Sequence, residues 1–147
     1  MRGFTYQYSS VELPVVVLIH QIGGCEKSWN DLQPLISPYM NVISVCLSGW
    51  GETRGHKHGI SIEQYCKDIL QLIEHLGCNQ ITIVGYELGA AIGFEMMKRY
   101  PKKLFSLVLL DPADGFNHWR KSLIIESISK WNIEPERTIL WDLIVST

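Results

Sequence analysis

The residues with the clearest chemical frame are Gly85-Tyr86-Glu87-Leu88-Gly89, which follow Ile83-Val84 and lead into Ala90-Ala91. This is the G-x-nucleophile-x-G spacing of a nucleophile elbow, a sharp strand-to-helix turn that lifts one side chain above the top of a parallel sheet. Small residues two before and two after the centre let the strand and helix backbones approach. Acyl transfer wants an activated hydroxyl or thiol at that centre, and a glutamate stands there instead. Function therefore turns on what a carboxylate does at position 87.

The elements that must position this turn are legible on either side of it. Gln80 to Val84 reads as a short buried strand, and Leu88 to Tyr100 as a helix that Pro101 stops. Upstream, Val15-Val16-Val17-Leu18-Ile19 is apolar without alternation, as a central parallel strand covered on both faces requires. It ends in His20-Gln21-Ile22-Gly23-Gly24. An amphipathic segment with Trp29, Leu32 and Leu35 follows, then a second apolar strand, Val42 to Leu47, running into Ser48-Gly49-Trp50-Gly51-Glu52-Thr53. Ser61 with Gln64 has the form of a capping box, opening a helix through Ile69, Leu70, Leu72, Ile73 and Leu76 that Gly77 ends. Leu104 to Leu110 is a further strand, leaving through Asp111-Pro112-Ala113.

Taken in order, these segments resemble the α/β-hydrolase superfamily, whose members carry His-Gly-x-x-Gly after the first central strand, Asp-x-x-Gly-x-Gly-x-Ser after the next, and then the elbow. The resemblance runs from about Val15 to about Gly115. It implies an α/β fold with a mostly parallel central sheet of about five strands flanked by helices. Residues 1–115 would form a partial α/β-hydrolase core and residues 116–147 a helical, cap-like segment, rich in Leu123, Ile124, Ile125, Ile128 and Trp131. The family places its catalytic acid and histidine after two further strands, so the chain is expected to be the amino-terminal half of such a fold. Its last strand, Leu104 to Leu110, then offers an open edge for self-association.

The resemblance also implies a site. One oxyanion donor is the main-chain N–H of Leu88, and the other the N–H of Ile22 in the loop after the first central strand. Gln21 stands where the family usually has glycine, so its side chain is expected to narrow that loop or shift its N–H. His20, Gln21, Tyr86 and His118 are the residues expected around a substrate. Of these, His20 matches the family's structural hydrogen-bonding histidine, and His118 is the histidine able to approach from the cap side. Glu87 keeps three readings: a nucleophile like the aspartate of haloalkane dehalogenases, a carboxylate folded back onto the Leu88 and Ile22 donors, or a tolerated solvent-facing replacement with catalysis lost. Asp111 reads as a turn initiator or as an alternative triad acid. Cys46 and Thr53 replace the family's usual aspartate and serine, a change expected to weaken the hydrogen bonding of the 48–53 loop.

Composition sets limits. The 147 residues, 46% of them hydrophobic, suit one domain with a substantial core. A net charge of −2 offers no electrostatic footprint for nucleic acid or an anionic membrane. His56 and His58 form an H-x-H pair without a third ligand at recognisable spacing, so no metal and no cofactor is expected. Cys25, Cys46, Cys66 and Cys78 are scattered and read as free thiols, and the amino terminus has no apolar leader, which together point to the cytoplasm. The function implied is that of a hydrolase-family protein acting on small apolar esters, amides or related compounds, with its catalytic machinery incomplete in this chain. The alternatives are a non-catalytic binding or interaction module that takes a small apolar ligand, and a truncated product of a longer gene.

Overall fold

A computed structural model describes residues 12–53 and 61–111, together with the main chain of residues 4–7. They form a five-stranded sheet in the order β1-β3-β2-β4-β5. The strands are β1 (Phe4–Gln7), β2 (Val15–Ile19), β3 (Asn41–Val45), β4 (Ile81–Tyr86) and β5 (Leu104–Leu110). β1 pairs antiparallel with β3, while β3, β2, β4 and β5 run parallel. The mostly parallel sheet is as expected. β1 was not foreseen, because Phe4-Thr5-Tyr6-Gln7 is a short run at an edge and lacks the unbroken apolar signature of the central strands.

Both faces of the sheet are covered, which is why β2 carries no polar residue. Val17 and Ile19 point into a core shared with α2 (Ile62–His75) and α3 (Leu88–Arg99), through Tyr65, Ile69, Ile73, Ile92 and Met96. Val16 and Leu18 face the opposite layer, where Trp29, Leu32, Ile36 and Met40 pack. That second layer differs from the single amphipathic segment read from the sequence. It is a 3-10 turn over Glu26–Trp29 followed by the one-turn helix α1 (Gln33–Ile36), with Pro34 in its first turn. Trp29 and Leu32 still face the sheet, but the break turns Leu35 outward, 69% exposed.

α2 begins as its sequence predicts: the Ser61 hydroxyl accepts from the Gln64 N–H at 3.1 Å. The Gln64 side chain, however, donates to Asp68 at 3.0 Å, so only half of the capping box is made. The helix closes at Gly77, whose φ of 70° is the left-handed exit expected of a terminating glycine. None of the described helices is long and apolar enough to cross a membrane.

Candidate functional site at the elbow

The carboxyl ends of β2, β3 and β4 converge on one rim of the sheet, and the candidate site is built there. Glu87, between β4 and α3, adopts φ 50° and ψ −103°, a conformation that L-residues hold only when their surroundings over-determine it, at a cost of about 1–3 kcal/mol. Two contacts do so. A methyl at Gly85 would collide with the Gly89 carbonyl group and lie 2.6 Å from the Ala90 nitrogen. A methyl at Gly89 would run into the Ile19 carbonyl oxygen. Strand β4, the start of α3 and the end of β2 are thus pressed backbone to backbone. The Glu87 N–H donates to the Leu110 carbonyl at 3.0 Å and its own carbonyl accepts from Ala91 at 3.2 Å, which fixes both peptides of the turn.

The side chain of Glu87 is half-buried and makes no capping hydrogen bond to the first turn of α3. The folded-back carboxylate considered from the sequence is therefore not the arrangement adopted. Leu88 opens α3, and neither its N–H nor that of Ile22 donates to a main-chain carbonyl among the described residues. Ile22 lies in a turn closed by the Gly24 N–H on the Gln21 carbonyl at 3.0 Å, with Gly23 at φ 77°. Ile22 is 57% exposed and Tyr86 36% exposed, so both present apolar surface at this rim.

Gln21 turns its side chain inward over Gly24, and its Oε1 is buried without a partner. His20 is wholly buried. Its Nδ1–H donates to the Gln21 carbonyl at 2.7 Å and its Nε2 accepts from the Leu47 N–H at 3.0 Å, which fixes one neutral tautomer. Burial holds its pKa below the ordinary histidine value. Grouped from the sequence with the substrate-facing residues, His20 has both ring nitrogens committed inside the protein, where it ties the loop after β2 to the loop after β3. His118 lies outside the described residues, as do His56, His58 and the cap-like segment from residue 116.

The loop after β3 is better anchored than its sequence suggests. The Thr53 hydroxyl lies 2.6 Å from the Leu47 carbonyl and 2.6 Å from the Trp50 carbonyl, and the Cys46 thiol donates to the latter at 3.2 Å. Trp50 Nε1–H donates to Tyr65 Oη at 2.9 Å, and that hydroxyl donates to the Ser48 carbonyl at 3.1 Å. Trp50 also stands edge-on to His20, with ring centroids 6.4 Å apart. The expected weakening of hydrogen bonding is thus not seen. Tyr65, which locks the loop to α2, was missed because a tyrosine at a core position of a helix reads as packing; only its pairing with Trp50 reveals the second role.

Asp111, just past β5, has φ 40°. Glu87 and Asp111 are the non-glycine residues with positive φ among those described, and they cap neighbouring strands. No group of three or more potential metal ligands occurs among the described residues.

Comparison with known proteins matches this geometry. A family model described as the alpha/beta hydrolase fold covers residues 14–135. A hydrolase from Pseudomonas aeruginosa superposes with a TM-score of 0.70 at 20% identity, over 86% of this chain and 48% of that one. An esterase from a marine microorganism superposes with a TM-score of 0.70 at 16% identity, over 92% of this chain and 52% of the other. At those identities the likeness is one of fold. By sequence, the Agrobacterium fabrum protein RutD, named as a carbamate hydrolase, is 26% identical over 117 residues, 78% of this chain but 42% of its own length. The Mycobacterium tuberculosis protein Rv2715 is 27% identical over 97 residues, 66% of this chain and 28% of its own. The chain thus spans about half or less of the length of these relatives. With the strained elbow, the paired glycines and the parallel sheet all in place, the chain belongs to the alpha/beta hydrolase fold family.

Proposed function

We propose that the rim formed by Ile22, Tyr86, Glu87 and Leu88 is a hydrolase-type pocket that binds a small apolar ester, amide or related carbonyl compound without turning it over by serine chemistry. The observation that carries this reading is the elbow itself. Residue 87 keeps the strained φ 50°, ψ −103° pose, while its side chain offers a carboxylate in place of a hydroxyl. The main-chain N–H groups of Leu88 and Ile22 remain available to a carbonyl oxygen, because oxyanion donors of this kind depend on backbone placement and not on side-chain identity. A hydroxyl nucleophile also needs a base, and His20 cannot serve as one while Nε2 accepts from Leu47 and Nδ1 donates to Gln21. Four free thiols favour the cytoplasm as the place of action.

The test has two arms. The protein is incubated with a fluorophosphonate probe and with p-nitrophenyl butyrate, alongside Glu87→Ser and Glu87→Ala. We expect no serine labelling in the wild type and no turnover by Glu87→Ser above Glu87→Ala, with ligand-induced shifts of the Ile22 and Leu88 amide resonances. Ester turnover by the wild type with a butyryl adduct on Glu87 would establish the nucleophilic reading instead. Unshifted amides would remove the pocket.

A further inference from the structure

A pair of reactive side chains lies in the loops after β2 and β3 and takes no part in the elbow. Cys25 sits in the loop after β2, at the start of the 3-10 turn, and Cys46 immediately follows β3. Both are free. They are 21 positions apart in sequence, yet one glycine separates them in space. A β-carbon placed on Gly51 would lie 2.9 Å from Cys46 Sγ and 3.1 Å from Cys25 Cβ. Because these distances share an end, Cys25 Cβ and Cys46 Sγ lie at most about 6 Å apart, so a small approach of the two loops would bring the β-carbons to the spacing of about 3.5–4.5 Å that a disulfide requires. The absent side chain of Gly51, at φ 53°, is what leaves the gap open. Glu26, one residue from Cys25, is near enough for its carboxylate to help raise the pKa of the Cys46 thiol.

We propose that Cys25 and Cys46 form a redox modification site, closed to a disulfide by exchange with a low-molecular-weight disulfide of the glutathione type. Cys25 is the partly exposed member and Cys46 the buried one, 7% exposed, so their roles differ. The Cys25 thiolate attacks one sulfur of the small disulfide, whose S–S bond breaks, and the first small thiol leaves and takes up a proton. Cys46 then loses its proton and attacks the Cys25 sulfur of the mixed disulfide, expelling the second small thiol. Two electrons pass from the protein to the oxidant, and one S–S bond is broken for each one formed. Burial and the neighbouring Glu26 carboxylate raise the pKa of the Cys46 thiol, which suits it to the resolving role and leaves the first attack to the more exposed Cys25. The bridge would tie the loop that carries Ile22 directly to the Gly-Trp-Gly loop, adding a covalent link where His20 now supplies a hydrogen-bonded one.

The sequence makes the test direct. Trypsin cuts after Arg2, Lys27 and Arg54, which puts Cys25 in peptide 3–27 and Cys46 in peptide 28–54. The native protein is incubated with oxidised glutathione, unfolded in N-ethylmaleimide, digested and analysed by mass spectrometry. We expect peptides 3–27 and 28–54 to appear cross-linked, short of two hydrogens, with Cys66 still fully alkylated. Cys46→Ala should instead accumulate glutathione on Cys25, because the resolving thiol is gone. A wild-type protein that holds glutathione on Cys25 with Cys46 alkylated would overturn the proposal, as would a link from Cys25 to Cys66 or Cys78, or no reaction at all.

Discussion

The loop after β3 and the elbow after β4 both exchange a polar residue of the family pattern for a different one, yet they respond differently. In the loop, Thr53 and Cys46 keep donating to the carbonyls of Leu47 and Trp50, so the replacements still perform the structural task. At the elbow the backbone is just as well held, but Glu87 makes no capping bond, so its side chain has no part in holding the turn. The cause lies in what holds each turn. A loop stapled by side-chain hydrogen bonds constrains the residues that staple it. A turn held by glycine-to-backbone approach constrains its glycines and leaves the residue at its apex free to vary without loss of fold.

The most disruptive way to test this contrast is Gly89→Ala. The new methyl would meet the Ile19 carbonyl, and neither backbone can rotate away as a side chain would. A loss of about 3 kcal/mol is expected, at the upper end of overpacking effects, read from the urea midpoint. If Gly89→Ala unfolds at the wild-type midpoint, the elbow is not held by backbone approach.

His20 sits beneath both regions and gives the next effect in size. Its Nε2 must stay unprotonated to accept from Leu47, and burial lowers its folded pKa below the ordinary value of 6.5. The unfolded chain therefore binds the proton more readily. Its contribution is fully present above about pH 6.5 and is lost as pH falls from there toward the folded pKa, at up to about 1.4 kcal/mol per pH unit. His20→Gln carries an acceptor out to the Nε2 position and removes the titration, so the fall in urea midpoint between pH 7 and about pH 5 should flatten in the variant. Parallel acid limbs in the two proteins would show that His20 is not the group responsible.

Thr53→Val sharpens the contrast from the other side. It keeps the shape and removes the hydroxyl that reaches two carbonyls, and should cost about 1 kcal/mol. Selective acceleration of hydrogen exchange at the Trp50 and Thr53 amides, with the Glu87 amide unchanged, would confine the damage to the loop. Equal acceleration at Glu87 would mean that the two turns are mechanically one.

How much of this was legible in the sequence follows the same division. The central strands and the helices after positions 61 and 87 could be read closely, because unbroken apolar runs, a serine cap and flanking glycines each have a single physical reading. β5 was read at its observed bounds, Leu104–Leu110. The segment 26–36 was harder: apolar spacing alone does not distinguish one helix from two short turns, and Pro34 falls where it starts the second. At the site, the backbone frame around residue 87 was visible as glycine spacing. The approach of Cys25 to Cys46 was not, since it depends on two loops that meet only once β2 and β3 lie side by side, and the inward turn of Gln21 and the Thr53 bonds depend on how each loop curls back on itself.

The smallest effect concerns the apex itself. Glu87 stands at φ 50°, which costs an L-residue about 1–3 kcal/mol. Glycine adopts that region without a Cβ penalty, although its freer unfolded chain takes back roughly 0.5–1 kcal/mol. Glu87→Gly is therefore expected to be neutral to stabilising by about 1 kcal/mol, whereas Glu87→Ala, which retains the Cβ and the strain, should differ little from wild type. The distinguishing measurement is the difference in urea midpoint between the two variants, because both lose the carboxylate and only one loses the strain. If Glu87→Gly is the less stable of the pair, the apex is unstrained in solution. The frame of the elbow would then be relaxed at its apex, and Glu87 would be no more constrained than the residues of the loop after β3.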